Sequence, residues 1–572
     1  MARRSHRLNW RMALLILTLG IGVVAVVARL AQVQIVRHEY YAQRAEEEHL
    51  HQTVVREPRG SILDRNGYPL ATTVTTFDVY VDPRSWREPA TALRGAAALA
   101  PLLGRAPADL LSAVAAQAQG DYLAARGVDA QIGLDVLDAA PAGVTAVSAS
   151  RRHYPEGDVA SALLGFTGRD QVGLTGIEAD FERELGGVPA TVYFERDGLG
   201  NPIPFGRRLG DTPIAGGDVR LTIDRHLQRL ADQALDRAVE AHKATGGTII
   251  MMDPKTGEVL AMASRPSFRL SQLNLQDAAQ GDFYRNRAVT DTYAPGSLIK
   301  TITMAAAIDS GLVTPDSTYY DVGVESVPGA SIRNWDLSSH GTVTATEILQ
   351  YSLNTGAVWL SSALGPDRFY DYLHRFGFAE ETHAGLGGEA AGLLRTNQDE
   401  GWCECDLATN SFGQSIAATP LQVITAVAAL VNGGELMRPY IVREVDGPDG
   451  RQVSEPVVVR RVVSEGTAQT LVEMMNAVVD GVPSHLAQVP GYRIGGKTGT
   501  STFTDRSTTI ASFIGFAPVE DPRFIMLVKI DESQDDRLGG LVAAPVFAEL
   551  APQILAYLGV YPNDAALVER DR

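Results

Sequence analysis

The sequence predicts an α+β fold, carried on a single membrane-spanning helix near its start. Three observations predict it. A helical pattern, a two-strand hairpin and a second helical pattern follow one another between residues 218 and 311. A second hairpin and a closing helix end the same region near residue 560. One uncharged apolar run near the N-terminus is long enough to cross a bilayer.

With 572 residues the chain exceeds one ordinary core, so several are expected. A hydrophobic share of 45% and a charged share of 21% are a globular balance and exclude wholesale disorder. The net charge of -18 argues against a nucleic-acid binder, which normally shows a basic face.

The uncharged run Met12–Ala28, followed by Arg29, sets the anchor at residues 12–30. Arg3, Arg4, Arg7 and Arg11 precede it with no acidic residue, which keeps the tail 1–11 cytoplasmic and puts the rest outside. Cleavage after Ala28 as a signal peptide is the competing reading; the run exceeds a usual signal core of about 7 to 15 residues. A charged stalk follows, then REPRGSILDRNGYPLA, in which Asn66-Gly67 signals a hairpin turn. Residues 90–145 are alanine-rich and read as helical scaffold. Between Arg151 and Gly187, glycine-punctuated turns suggest mixed strands and loops.

A composition change at Gly216-Gly217 marks a domain boundary. The helix after it carries Leu227, Leu230, Ala234, Leu235, Ala238 and Val239 on one face. GTIIMMDPKTGEVLAMAS is a hairpin whose Lys255-Thr256-Gly257 turn reads as structural. SFIGFAPVE and RFIMLVKID form the second hairpin, and APVFAELAPQILAYLG the closing helix.

Only five of the fifty basic residues are lysine: Lys243, Lys255, Lys300, Lys497 and Lys529. Arginine does not give up its proton in a protein, whereas a desolvated lysine does, so the lysines mark places where a base could work. In YAPGSLIKT a turn leads into a helix, and Ser297 and Lys300 sit on one face at i and i+3. A serine hydroxyl needs a base to become a nucleophile; the helix N-terminus and burial both lower a lysine's pKa toward that task. In YSLNTG, Ser352 could relay protons and Asn354 could orient Lys300 or hold a substrate backbone group. In GGKTGTS on a strand, Thr498 and Thr500 would face one side to bind a carboxylate. Lys497 adds positive potential there, and Gly499 leaves room for a ligand backbone. Each piece alone is common; the ordered set SxxK, SxN, KTGT is that of penicillin-recognising serine enzymes. Cys403 and Cys405 in WCEC read as a loop pair or a local disulfide, because a structural zinc takes about four ligands.

With RGSILDRNG, GLTGIE, NRAVTDTYAPGSLIK, HGTVTATEILQYSLNTG, GQSIAATPLQ and GGKTGT added, the chain resembles a class B penicillin-binding protein. These are the monofunctional transpeptidases of bacterial cell-wall synthesis. The resemblance implies a non-catalytic, elongated pedestal of dimerisation type at residues 37–215. It implies a penicillin-binding transpeptidase domain, an antiparallel sheet flanked by helices, at 216–560, with a tail at 561–572.

It implies that Ser297 attacks the penultimate D-Ala carbonyl of a stem peptide ending in D-Ala-D-Ala, with Lys300 as base and Ser352 as proton relay. Asn354, Lys497, Thr498, Gly499 and Thr500 would bind substrate, and the N–H groups of Ser297 and Thr500 would form the oxyanion hole. Neither metal nor organic cofactor is implied. The implied partners are stem peptides, β-lactams as inhibitors, a lipid-linked glycan polymerase and other division or elongation proteins. The segments GFTGRDQVGLTGIE, NRAVTDTYAPGS and GGLVAAPVF resemble the division-septum type more than the elongation type. Two alternatives stay open: a membrane-anchored β-lactam-hydrolysing or sensing protein, and a catalytically silent cell-wall scaffold.

Overall fold

The computed structural model describes residues 10–41, 44, 50–195, 208–270, 282–481, 485–502, 509–534 and 538–562. Arg3, Arg4 and Arg7, and most of the tails expected at 1–11 and 561–572, lie outside the described residues. The chain divides into two compact units.

The first unit, Met1–Glu57 with Val188–Ala215, contains helix α1, Trp10–Ala31, continued by a π-helical turn at Gln32–Val36. Trp10–Val36 has a mean hydropathy of 2.5, and no part of that window is buried within the protein. An isolated helix that is apolar on every side has no stable place in water, so α1 fits a bilayer. The unit also holds an antiparallel sheet in which Ala190–Glu195 lies between Leu50–Val55 and Arg208–Gly210.

The second unit is Pro58–Gly187 with Gly216–Arg572. Its sequence-distant parts are joined by one sheet: Val442–Gly447 pairs with Val219–Leu221, which pairs in parallel with Ile62–Leu63, which pairs with Pro69–Val81. This unit therefore spans both sides of residue 216. The RGS and GIE motifs meet here around buried charge. Glu178, fully buried, accepts from Arg59 Nε at 2.7 Å and from Arg152 Nε at 2.6 Å. Arg59 also reaches Glu182 at 2.5 Å, and Arg152 Nη1 donates to Gly60 O at 2.6 Å. Buried charges persist only when paired and hydrogen-bonded, which accounts for both motifs structurally.

Two expectations are corrected. Residues 90–145 hold helices at Pro89–Leu103, Pro107–Ala116 and Ala130–Ala139, but also the strand Tyr122–Asp129. Pairing with Pro69–Val81 overrides the helical composition there. Residues 151–187, expected as mixed strands and loops, begin with the end of the strand Val144–His153, which pairs with Pro69–Val81, and then add to their loops three short helices at Ser161–Leu164, Gly176–Asp180 and Glu182–Gly186, with one isolated bridge between Thr167 and Gly173.

In the C-terminal part α2, Arg225–Ala241, begins at Asp224, whose carboxylate accepts from His226 N and Leu227 N. It precedes the hairpin β1, Gly246–Met252, and β2, Val259–Arg265. Helix α3, Ile299–Asp309, follows a 3₁₀ turn at Gly296–Leu298, and α4 covers Asn354–Leu364. Strands β3, Gly495–Thr502, β4, Thr509–Ala517, and β5, Phe524–Asp531, lead to the closing helix α5, Ala544–Tyr557. The five strands form one antiparallel sheet in the order β2-β1-β5-β4-β3. Alternation divides its core: Ile249 and Met251 pack with α2 and α5, whereas Ile250 and Met252 belong to the cluster that contains α3. The edge strand β3 carries KTGT, and the 3₁₀ turn carrying the SxxK serine packs against it.

Candidate active site

Three chain segments converge at the β3 edge. The first is the turn before α3. Gly296 has φ +58°, and a Cβ there would lie 2.5 Å from Thr500 O, so only glycine lets the turn sit against β3. Gly296 N donates to Gly413 O at 3.0 Å, which fixes the turn from its other side. Ser297, half-buried, faces a pocket of about 350 Å³ and makes no hydrogen bond to a described residue through its hydroxyl.

The second segment is Ser352–Asn354. Ser352 holds φ +57°, a left-handed conformation uncommon for serine, which turns the chain sharply before α4. Asn354 is the first residue of α4.

The third segment is β3 itself. Thr498 and Thr500 line the pocket, two residues apart on one strand face, as period-two alternation requires. A Cβ at Gly499 would lie 2.4 Å from Ser512 Oγ, 2.9 Å from Leu298 Cγ and 3.0 Å from Pro295 O. The chain itself makes the close approach at Gly499, where the sequence suggested room for ligand.

Lysines and hydroxyl meet between these segments. Lys300 Nζ donates to Ser352 O at 2.6 Å, Asn354 Oδ1 at 2.8 Å and Ser352 Oγ at 3.3 Å. Lys497 Nζ donates to Ser352 Oγ at 3.0 Å, to Thr498 O at 3.0 Å and to Thr498 Oγ1 at 3.3 Å. All acceptors in this set are neutral. Burial pushes Lys300 well below the usual lysine range, and Lys497 beside it adds to the shift. Burial alone lowers Lys497 to about 7. The lowered pKa fits Lys300 to the role of proton acceptor.

Sequence reasoning missed part of the wall: Trp335, Phe412, Gln414, Thr509 and Leu538-Gly539-Gly540. Gly413 and the Gly539-Gly540 pair lay within recognised segments without a role. Trp335 had no signal; it follows the strand Ala330–Arg333, and its Nε1 donates to Tyr351 O at 3.0 Å. In the second lysine turn, Lys255-Thr256-Gly257, the lysine is exposed and pairs with Asp521. Cys403 and Cys405 are joined in a disulfide with Cα atoms 5.1 Å apart, which takes up both thiols of the one Cys-Cys-Asp cluster found among the described residues.

Comparison with known proteins adds an independent line. Residues 247–551 match the penicillin binding protein transpeptidase domain, and residues 55–221 the penicillin-binding protein dimerisation domain. The chain is 34% identical over 563 residues to stage V sporulation protein D of Bacillus subtilis, covering 96% of this chain and 86% of that protein. It is 32% identical over 571 residues to peptidoglycan D,D-transpeptidase FtsI of Escherichia coli, covering 98% and 94%. Among solved structures, penicillin binding protein 3 of Mycobacterium tuberculosis, complexed with aztreonam, superposes with a TM-score of 0.68 at 27% identity, covering 89% of this chain and 98% of that one.

Proposed function

The chain belongs to the penicillin-binding protein transpeptidase family, and we propose that it is a serine-type peptidoglycan D,D-transpeptidase whose nucleophile is Ser297. The observation that carries this reading is the pair of buried lysines on either side of the Ser352 hydroxyl, at the wall of the pocket that Ser297 faces.

Neutral Lys300 removes the Ser297 proton as Oγ attacks the penultimate D-Ala carbonyl. The negative charge on the carbonyl oxygen falls to the N–H groups of Ser297 and Thr500. The C–N bond then breaks, and the leaving amine of terminal D-Ala takes a proton through Ser352. An acceptor amine attacks the acyl-serine, loses its proton by the same route, and restores Ser297. Thr498 and Thr500, with Lys497 behind them, hold the donor's carboxylate, and Asn354 holds Lys300 and the peptide. Gly499 contributes by letting the nucleophile turn seat on β3.

β-Lactams acylate the same serine. The described residues lining the pocket include no carboxylate to activate water, which favours acyl transfer over rapid hydrolysis. Residues 12–30 anchor the chain with the tail 1–11 in the cytoplasm, 37–215 form the pedestal that meets a lipid-linked glycan polymerase, 216–560 form the catalytic domain, and 561–572 a tail. A septal rather than lateral role rests on sequence likeness in three segments.

The test supplies a donor peptide ending in D-Ala-D-Ala with and without an acceptor amine. Equal amounts of released D-Ala and cross-linked product are expected. D-Ala release that ignores the acceptor points to a hydrolase, and no release points to a scaffold.

A further inference from the structure

Three of the five lysines are buried: Lys300, Lys497 and Lys529, which is 6% exposed. The first two have roles in the site; the third has none. Lys529 lies on β5, one of the inner strands, where a cation is costly unless paired.

Its place follows from register. Gly499 on β3 pairs with Ser512 on β4, Ser512 with Lys529 on β5, and Lys529 with Thr248 on β1. Residues paired directly across strands point to one face, and the face at Gly499 is the one pressed by Pro295 and Leu298. Lys529 therefore points to the underside of the turn that carries Ser297. There its ammonium forms an ion pair with Asp531 and lies 5.0 Å from the centroid of the Tyr293 ring.

Tyr293 is 6% exposed and stands four residues before Ser297. Its backbone exchanges two hydrogen bonds with Ala418, both 2.9 Å. Its hydroxyl is buried with no partner among the described residues, so the ring, not the phenol oxygen, is what the fold uses. Burial and the Asp531 carboxylate push the phenol up and keep the ring neutral.

We propose that Lys529, seated by Asp531, is a positioning residue for the nucleophile: its ammonium grips the Tyr293 ring from below while Ala418 holds the Tyr293 backbone, and the two together fix the 293–297 turn that aims Ser297. The inference rests on Ser297 being the nucleophile.

The test follows acylation of the detergent-solubilised full chain by a fluorescent penicillin over a range of concentrations, separating Kd from the acylation rate constant. Lys529→Met is expected to lower the rate constant by about three- to tenfold, the scale of a desolvated cation–π contact, with Kd unchanged. Lys529→Arg should restore most of it, and Tyr293→Phe should match wild type. Tyr293→Leu should lose as much as Lys529→Met, and combining the two should cost no more than Tyr293→Leu alone.

An unchanged rate constant in a folded Lys529→Met protein overturns the proposal, as do losses that multiply in the double variant. If Lys529→Met does not fold, the comparison of Tyr293→Leu with Tyr293→Phe carries the test, and equal rate constants overturn it. Absence of any adduct on wild-type Ser297 defeats the functional reading instead.

Discussion

The hydroxyl of Ser352 lies 3.0 Å from Lys497 Nζ and 3.3 Å from Lys300 Nζ, so one side chain links the two buried amines of the site. In the proposed mechanism, a proton leaving Ser297 for Lys300 passes through this hydroxyl toward Lys497, or returns to a leaving group. The backbone geometry that puts the hydroxyl there is the left-handed turn at Ser352.

Ser352→Ala should therefore slow acylation by about 10²- to 10⁴-fold, the scale of lost acid–base assistance. Its thermal stability should stay near wild type, because Ser352 O and Asn354 Oδ1 still hold Lys300. Ser352→Gly should be equally slow yet more stable than Ser352→Ala by up to about 1 kcal/mol, since glycine accepts φ +57° freely. Stopped-flow acylation and thermal melts check both.

Both lysines are depressed, so pH acts in a definite direction. Neutral Lys300 accumulates as pH rises through its lowered pKa, so acylation should rise with pH and level off well below 10.5. For stability, the unfolded chain binds more protons than the folded one between the folded pKa of Lys497, about 7, and the ordinary lysine value. Its burial penalty is fully present below about 7 and fades as pH rises toward about 10. Melting temperatures of wild type and Lys497→Met, compared across that window, should show wild type gaining on the variant with increasing pH.

The close approach at Gly499 gives a steric prediction. Gly499→Ala puts a methyl group against Ser512 Oγ, Leu298 and Pro295 O, and should cost about 1–3 kcal/mol of stability while displacing Ser297. Adding Ser512→Gly removes the nearest of these atoms, so the double variant should recover part of both the melting temperature and the acylation rate.

Glu178 supports the fold and does not line the candidate site. Glu178→Ala leaves Arg59 and Arg152 buried without their shared carboxylate, and should cost about 3–5 kcal/mol by denaturant titration. Whatever fraction remains folded should acylate at the wild-type rate.

The sequence made the long elements readable where pattern and packing agree. Leu227, Ala234, Leu235 and Ala238 mark the buried face of α2, and the two apolar hairpins became four strands of one sheet. The strand Tyr122–Asp129 was hidden because alanine-rich flanks carry a helical signal, and only its pairing with Pro69–Val81 makes it a strand. SxxK, SxN and KTGT were legible because each needs particular residue types at fixed local spacing. Trp335 and Leu538 were not, since their place in the wall depends on tertiary packing alone. Lys529 was visible as a rare lysine, but its role needed the register of β5 against β4.

The most direct measurement of the central claim is intact-mass and peptide-mapping spectrometry of the full chain after incubation with a labelled penicillin. A single adduct that maps to Ser297, persists for hours and is lost in Ser297→Ala is the expected result. An adduct on another residue, or one that disappears within minutes as hydrolysed drug accumulates, contradicts the assignment of Ser297 as the nucleophile of a transpeptidase.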